Sequence, residues 1–268
     1  MFISVCPTKA IGLPNWSGWH ATMDEGVFET AITDGVLQTR RPHTDWLSTG
    51  VDGGRQHADA AYNVTVPAGW EETDLRAYID RRVATAGFDA EGPALLTGVA
   101  QRHARRAVLD PVEAIVTAGL SNPATLPPRD GIDTSTPTAN AVDSDGDAGG
   151  YHHGTINIIV GTTRALPPAA LARLLAGVSE AKTATLSRRT GFTGTTSDAV
   201  IVGSDPDGEP TRFVGSATTV GNAARACVRD GLIAALNARY PDGEHPESVG
   251  DADHGVETTA TATVSTPG

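Results

Sequence analysis

Lysine is nearly missing from this chain: only Lys9 and Lys182 occur, so 18 of its 20 basic residues are arginine. Against these stand 32 Asp and Glu, giving a formal net charge of -12 over 268 residues. A surface this acidic repels nucleic acid and anionic lipid unless a local patch reverses the sign. A codon bias toward arginine explains the missing lysine but not the acidity. The two together point to adaptation to high salt, where short carboxylates hold water and long apolar lysine stems are avoided. Cysteine is as scarce, with only Cys6 and Cys227. Two such residues, without CxxC spacing, exclude a disulfide scaffold and favour a reduced compartment. No apolar run approaches the roughly 18–20 residues that span a bilayer, and no basic flank leads into an apolar stretch at the N-terminus. The expectation is a soluble, cytoplasmic protein without nucleic acid or membrane partners.

What is present organises into alternating strands and helices, in a chain long enough to bury a substantial core. Residues 27–32 and 35–39 alternate about Thr33-Asp34-Gly35 and predict an antiparallel hairpin. A glycine-rich connector at 48–54 leads to a strand over 60–66 that stops at Pro67. Residues 71–86 open with acids, carry Leu75, Tyr78, Ile79 and Val83 at helical spacing and end before Gly87, which predicts a helix. Residues 95–108 and 112–118 read as strands, and 154–160 as a strand buried on both faces. A helix follows from Pro167, with Leu171, Leu174, Leu175, Val178 and Ala181 on one face. A short strand at 199–202 and a long helix from Thr219 to Tyr240 come next, then an acidic loop at 241–253 and a last strand at 256–264. Residues 123–150, rich in Pro, Asp, Thr and Gly, read as a flexible insertion, because apolar strands resume on both sides. The expected fold is a single mixed α/β domain over residues 1–268, of α+β character, with an N-terminal β region and a largely mixed sheet flanked by helices.

The familiar catalytic signatures are missing too. Residues 215–222 carry one residue too many and an Asn where a phosphate-binding loop needs Lys. There is no G-x-G-x-x-G opening a helix after a strand and no G-x-S-x-G elbow. His152 and His153 are adjacent, which points their rings apart, and nothing matches H-E-x-x-H. Metal dependence therefore stays open. His153, before a buried strand, and His57, after a glycine-rich loop, are the two histidines that stand out. Three polar loops, at 117–122, 194–198 and 215–222, sit where α/β proteins hold ligands, although any one of them could be an ordinary turn or cap. Lys182, retained beside Glu180 in so lysine-poor a chain, suggests a specific use such as orienting a carboxylate or a substrate carbonyl.

Several segments in order carry a family likeness: Thr117-Ala118-Gly119-Leu120-Ser121-Asn122, Gly154-Thr155-Ile156-Asn157-Ile158, Glu180-Ala181-Lys182, Thr193-Gly194-Thr195-Thr196-Ser197-Asp198-Ala199 and Gly221-Asn222. Together they resemble the adenosylcobinamide amidohydrolases, the CbiZ family of archaeal corrinoid salvage, from about Leu47 to about Leu236. Residues 123–150 are longer than that family pattern requires. The resemblance implies hydrolysis of the amide joining the aminopropanol arm to a corrin side chain of adenosylcobinamide, or of its phosphate, giving adenosylcobyric acid. The corrinoid is then bound as substrate, and the resemblance implies no further cofactor. A corrinoid-binding protein that does not cut, or an unrelated amidase, are the alternatives; oligomeric state is not readable. Amide hydrolysis needs a nucleophile or activated water, a base and oxyanion donors. Thr195, Thr196 and Ser197 are the candidate nucleophiles, with direct attack by water left open. Asp198 or Glu180 would serve as base, with Lys182 beside them. Asn157 and Asn122 are the candidate amide-side donors, since a buried strand does not carry Asn without a partner. Thr155, Gly119, Gly194, Asn222 and His153 complete the expected substrate-binding set.

Overall fold

A computed structural model describes residues 26–67, 69–128, 154–252 and 254–267. The hairpin expected at the start forms: β1 (Glu29–Thr33) and β2 (Val36–Ser48) pair antiparallel. Asp34 and Gly35 turn the chain at positive φ, 47° and 76°, conformations that Gly and Asp adopt at low cost. There follow β3 (Gly54–Thr65), α1 (Leu75–Thr85), β4 (Ala94–Thr97), β5 (Arg105–Leu109), β6 (Val112–Ala118) and β7 (Pro123–Thr125). The second half holds β8 (Ile156–Ala165), α2 (Pro168–Thr190), β9 (Gly194–Thr195), β10 (Ala199–Pro210), α3 (Thr219–Arg239) and β11 (Val256–Glu257). The main sheet runs β4-β3-β2-β10-β8-β6-β5, with β1 added to β2, and a small sheet runs β11-β7-β9. Strand pairs β10–β8 and β3–β4 are parallel and the other pairs of the main sheet antiparallel, so the sheet is mixed, as expected.

Alternation along the central strands divides their side chains between two interiors. Ala114, Val116, Ile158, Val160, Val200 and Val202 point toward α2 and α3, meeting Leu171, Leu174, Val178, Val228 and Leu232. Ile115, Ile159 and Ile201 point the other way and meet Phe28, Trp46, Ala61 and Leu95. Ala61 and Leu95 belong to β3 and β4, which form no ladder with β6 or β8, so the sheet curls until its two halves face each other. On the outside of the β2–β3 half, α1 packs Ile79 and Val83 against Val36, Ala60, Tyr62 and Val64. The layers are helix, sheet, sheet, helix. Trp46 is fully buried between the sheet halves, with its indole N–H donating to Ala58 O at 3.0 Å. Burial of such a side chain contributes about 1.5–3 kcal/mol.

Several boundaries differ from the sequence reading. The region 95–108 is not one strand: β4 and β5 are separated by a 3-10 turn at Gln101–His103, where His103 Nδ1 meets Ala238 O at 2.9 Å. The short strand expected at 199–202 runs on to Pro210, with Asp205-Pro206-Asp207-Gly208 absorbed at a register shift between Ser204 and Glu209. The last strand shrinks to Val256–Glu257; Val264 is 87% exposed, because the alternating Thr and Ala beyond it have little apolar surface to bury. Within the segment read as a flexible insertion, Pro123–Thr125 forms β7, between β9 and β11; residues 129–153 lie outside the described residues, as does Cys6. Cys227 is buried, and burial pushes its thiol up to about 11, so it is a packing residue and not a nucleophile. Among the described residues, no helix is long and apolar enough to cross a membrane.

Candidate active site

Strands β8 and β10 are parallel neighbours, so both begin at the same end of the sheet. After α2 the chain returns to that end through residues 191–198. Gly191 stops the helix in the left-handed conformation (φ 82°), its N–H bonded to Ser187 O, the usual use of a C-terminal glycine. Thr193 and β9 then bond to β7, and the five residues Gly194 to Asp198 close over the start of β8.

Asp198 is the hub of this loop. Its Oδ1 accepts from Thr195 Oγ1 (2.5 Å) and from the Ile156 N–H (3.1 Å), and its Oδ2 from the Thr195 N–H (3.1 Å) and from Lys182 Nζ. The Lys182 and Asp198 side chains are only 12% and 11% exposed, so the ion pair is little screened. With four donors the carboxylate's acceptor sites are filled, and none is left for a substrate proton. The geometry is that of a clamp, the Asx-type role, in place of the expected general base. Gly194 permits it: a Cβ there would meet Asp198 Oδ2 at 2.7 Å and Lys182 Nζ at 3.1 Å.

Beside the clamp, Thr196 and Ser197 are exposed. Thr155 Oγ1 donates to Ser197 O (2.8 Å) and lies 2.6 Å from Ser197 Oγ. Either hydroxyl can donate in this second contact, and Ser197 Oγ also reaches Gly154 O at 3.3 Å. Asn122 Nδ2 donates to Thr196 Oγ1 (2.7 Å) and to Ser197 Oγ (3.1 Å), while the Thr196 N–H returns a bond to Asn122 O at 3.1 Å. The Gly119 N–H donates to Thr155 O at 3.1 Å. Thus Asp198, Lys182, Thr195, Gly194, Thr196, Ser197, Asn122, Thr155 and Gly119 converge, from four separate stretches of chain. Gly154 is part of the fit, since a Cβ there would meet the Ser121 backbone N at 2.3 Å.

Asn157 has the partner that its burial demanded, but the partner is protein. Its Nδ2 donates to Asn63 Oδ1 and to Leu96 O, both at 2.9 Å, and Asn63 Nδ2 donates to Thr117 Oγ1 at 2.9 Å. This polar chain joins the two facing halves of the sheet, and it uses both Asn157 amide protons, so Asn157 is a floor brace and not the expected donor to substrate. Thr117 opens the polar loop singled out at 117–122, whereas Asn63 did not stand out in the sequence.

Glu180 and Asn222 lie elsewhere. Glu180 is two residues from Lys182, about 200° around the helix, and faces α3, where its Oε1 accepts from Arg225 Nη1 at 2.6 Å. It is no base for this cluster. Asn222 sits exposed in the first turn of α3. Because β10 carries the chain away from the cluster, α3 starts at the opposite end of the sheet. The loop at 215–222 caps that helix, Thr218 Oγ1 accepting from the Gly221 N–H at 3.1 Å. Asn222 lines a groove of about 430 Å³ between α2 and α3, together with Arg188, Arg189, Arg225 and Arg229. His57 is exposed and pairs with Asp45 at 3.0 Å, and His153 lies outside the described residues. Among the described residues no group of three or more His, Cys, Asp or Glu could hold a metal ion.

The family model described as adenosylcobinamide amidohydrolase matches residues 20–244. A Halobacterium salinarum protein named adenosylcobinamide amidohydrolase is 47% identical over 247 residues, covering 90% of this chain and 100% of that protein. A Methanosarcina mazei protein of the same name is 29% identical over 203 residues, covering 72% of this chain and 90% of the relative. Among solved structures, a Burkholderia sp. beta-aminopeptidase shares 15% identity over 77% of this chain and 80% of its own, with a TM-score of 0.36. The L-aminopeptidase D-Ala-esterase/amidase of Ochrobactrum anthropi shares 14% over 79% and 83%, with a TM-score of 0.34. Both scores are too low to bear on the fold or the chemistry. The sequence matches put this mixed α/β protein in the class of hydrolases that act on amide bonds. More narrowly, the chain belongs to the adenosylcobinamide amidohydrolase family.

Proposed function

We propose that the protein hydrolyses the amide joining the aminopropanol arm to a corrin side chain in adenosylcobinamide or its phosphate, releasing adenosylcobyric acid and the amino alcohol. Family membership across most of the chain is the observation that carries this reading. The exposed hydroxyl of Ser197, held between Thr155 and Asn122, supports a step in which Oγ bonds to the amide carbon. The C–N bond then breaks, the hydroxyl proton leaves on the amine nitrogen, and water hydrolyses the ester to regenerate Ser197. The Asn122 amide gives both its protons to Thr196 and Ser197, so it orients these hydroxyls instead of donating to the substrate as expected; the Lys182–Asp198–Thr195 clamp holds the loop. The reaction takes place in the cytoplasm. Incubated in molar salt with adenosylcobinamide, the purified protein is expected to yield adenosylcobyric acid and free aminopropanol, read by liquid chromatography and mass spectrometry. Tight corrinoid binding without release of aminopropanol would overturn the reading in favour of a carrier.

The acidity has its own consequence for that assay. At a net charge of -12, carboxylate repulsion acts over about 10 Å at 0.1 M salt and is screened within about 3 Å at 1 M. A relative 47% identical to this chain comes from Halobacterium salinarum, which supports the salt-adapted reading of its composition. The melting temperature is expected to rise by about 10 °C from dilute buffer to molar potassium chloride, about 5 kcal/mol for a chain of this size. A melting curve independent of salt counts against adaptation to brine.

A further inference from the structure

Tyr240 closes α3 and touches none of the candidate reacting groups, yet its phenol oxygen reaches the loop that orients one of them. We infer that Tyr240 is a positioning residue, fixing Asn122 and through it Ser197; the inference rests on the reading of Ser197 given above.

Residues 119–122 leave β6 and are tied to their surroundings at successive points. The Gly119 N–H donates to Thr155 O at 3.1 Å, the Leu120 N–H donates to Tyr240 Oη at 2.8 Å, and Asn122 bonds Thr196 and Ser197. Leu120 is fully buried, so its N–H has no water to turn to and the phenol is its satisfaction. The ring itself is fixed. The Tyr240 N–H is bonded to Leu236 O at 2.8 Å, Arg239 lies 5.3 Å from the ring centroid, and His245 meets the ring edge at 5.9 Å. The phenol is thus a strut between a helix end and the loop. Asn122 has two amide protons and spends one on each hydroxyl residue, so a shift of a few tenths of an ångström in the loop releases the longer bond, the 3.1 Å bond to Ser197. Loss of the phenol oxygen strands a buried N–H, and the loop must move to satisfy it.

Tyr240→Phe keeps the ring and removes the strut. At a temperature where circular dichroism shows the variants folded, it is expected to lower kcat about tenfold while KM stays within about twofold. Labelling of Ser197 by a fluorophosphonate should slow by the same factor. His245→Ala serves as the comparison, because it removes the ring's edge contact and leaves the hydroxyl; it is expected to lower the melting temperature and leave kcat and labelling unchanged. Full kcat in Tyr240→Phe, or equal losses in both variants, overturns the inference. An inactive Ser197→Ala beside a fully active Tyr240→Phe overturns it while sparing the reading of Ser197, and an active Ser197→Ala overturns both.

Discussion

Asp198→Asn will destabilise the protein by about 3 kcal/mol and slow turnover about 100-fold by misplacing the loop, the two losses having one cause. The carboxylate now accepts from the Thr195 hydroxyl, two backbone N–H groups and the Lys182 ammonium. Asn offers one acceptor oxygen and turns an NH2 group toward donors, so half of these bonds become donor facing donor. Lys182, with a side chain only 12% exposed, is left without its counter-ion, and an unpaired charge in such a place costs far more than the pair contributed. Thr196 and Ser197 then lose the anchor that follows them in the chain. Thermal melts and steady-state turnover on the same samples test this. Adding Lys182→Met to Asp198→Asn should recover part of the stability, since the stranded charge is gone, but not the rate. A near wild-type melting temperature with a 100-fold slower reaction would instead return Asp198 to the role of general base.

That clamp was half legible in the sequence. Three hydroxyl residues followed by Asp at the mouth of a buried strand marked the loop, and one of only two lysines in the chain marked its partner. The reading set Lys182 beside both Asp198 and Glu180 and could not choose between them: only the helical angle between Glu180 and Lys182 sends one toward α3 and the other to the sheet end. The helices α2 and α3 were readable because one apolar face repeats at helical period. The strand β10 was cut short in the reading because Asp205-Pro206-Asp207-Gly208 has turn composition, whereas the structure takes it into a bulge, where Asp205 pairs with Arg41. Asn63 shows a different limit. Alternation in β3 separates Tyr62 and Val64 from Ala61 and Asn63, but it does not say that both sides are interior. With α1 on one side and the facing half-sheet on the other, the polar Asn63 is 3% exposed. Period gives the face; only the curl of the sheet gives what lies against it.

Ser197→Ala is expected to have the largest effect on the reaction, a fall in kcat of at least about 1,000-fold, with little change in substrate binding. The residue is exposed, so the fold loses only its hydroxyl contacts with Thr155, Asn122 and Gly154 O, and the stability cost is about 1 kcal/mol. Each neighbour has a separate expectation. Thr196→Val leaves Asn122 one bond short and should cost about tenfold, because Thr196 accepts from the same amide nitrogen without being the attacking group. Thr195→Val removes the 2.5 Å bond to Asp198 and acts on the clamp, so it should lower the melting temperature together with the rate. Rapid quenching of the wild-type reaction, followed by peptide mass spectrometry, should find the corrinoid acid esterified to Ser197. If Ser197→Ala keeps more than about a tenth of the rate and no ester is trapped, water attacks the amide directly. In that event Ser197 is a structural partner of Thr155, and the acid–base machinery has to be sought outside the 194–198 loop, since the only carboxylate in that loop, Asp198, is already committed to four donors.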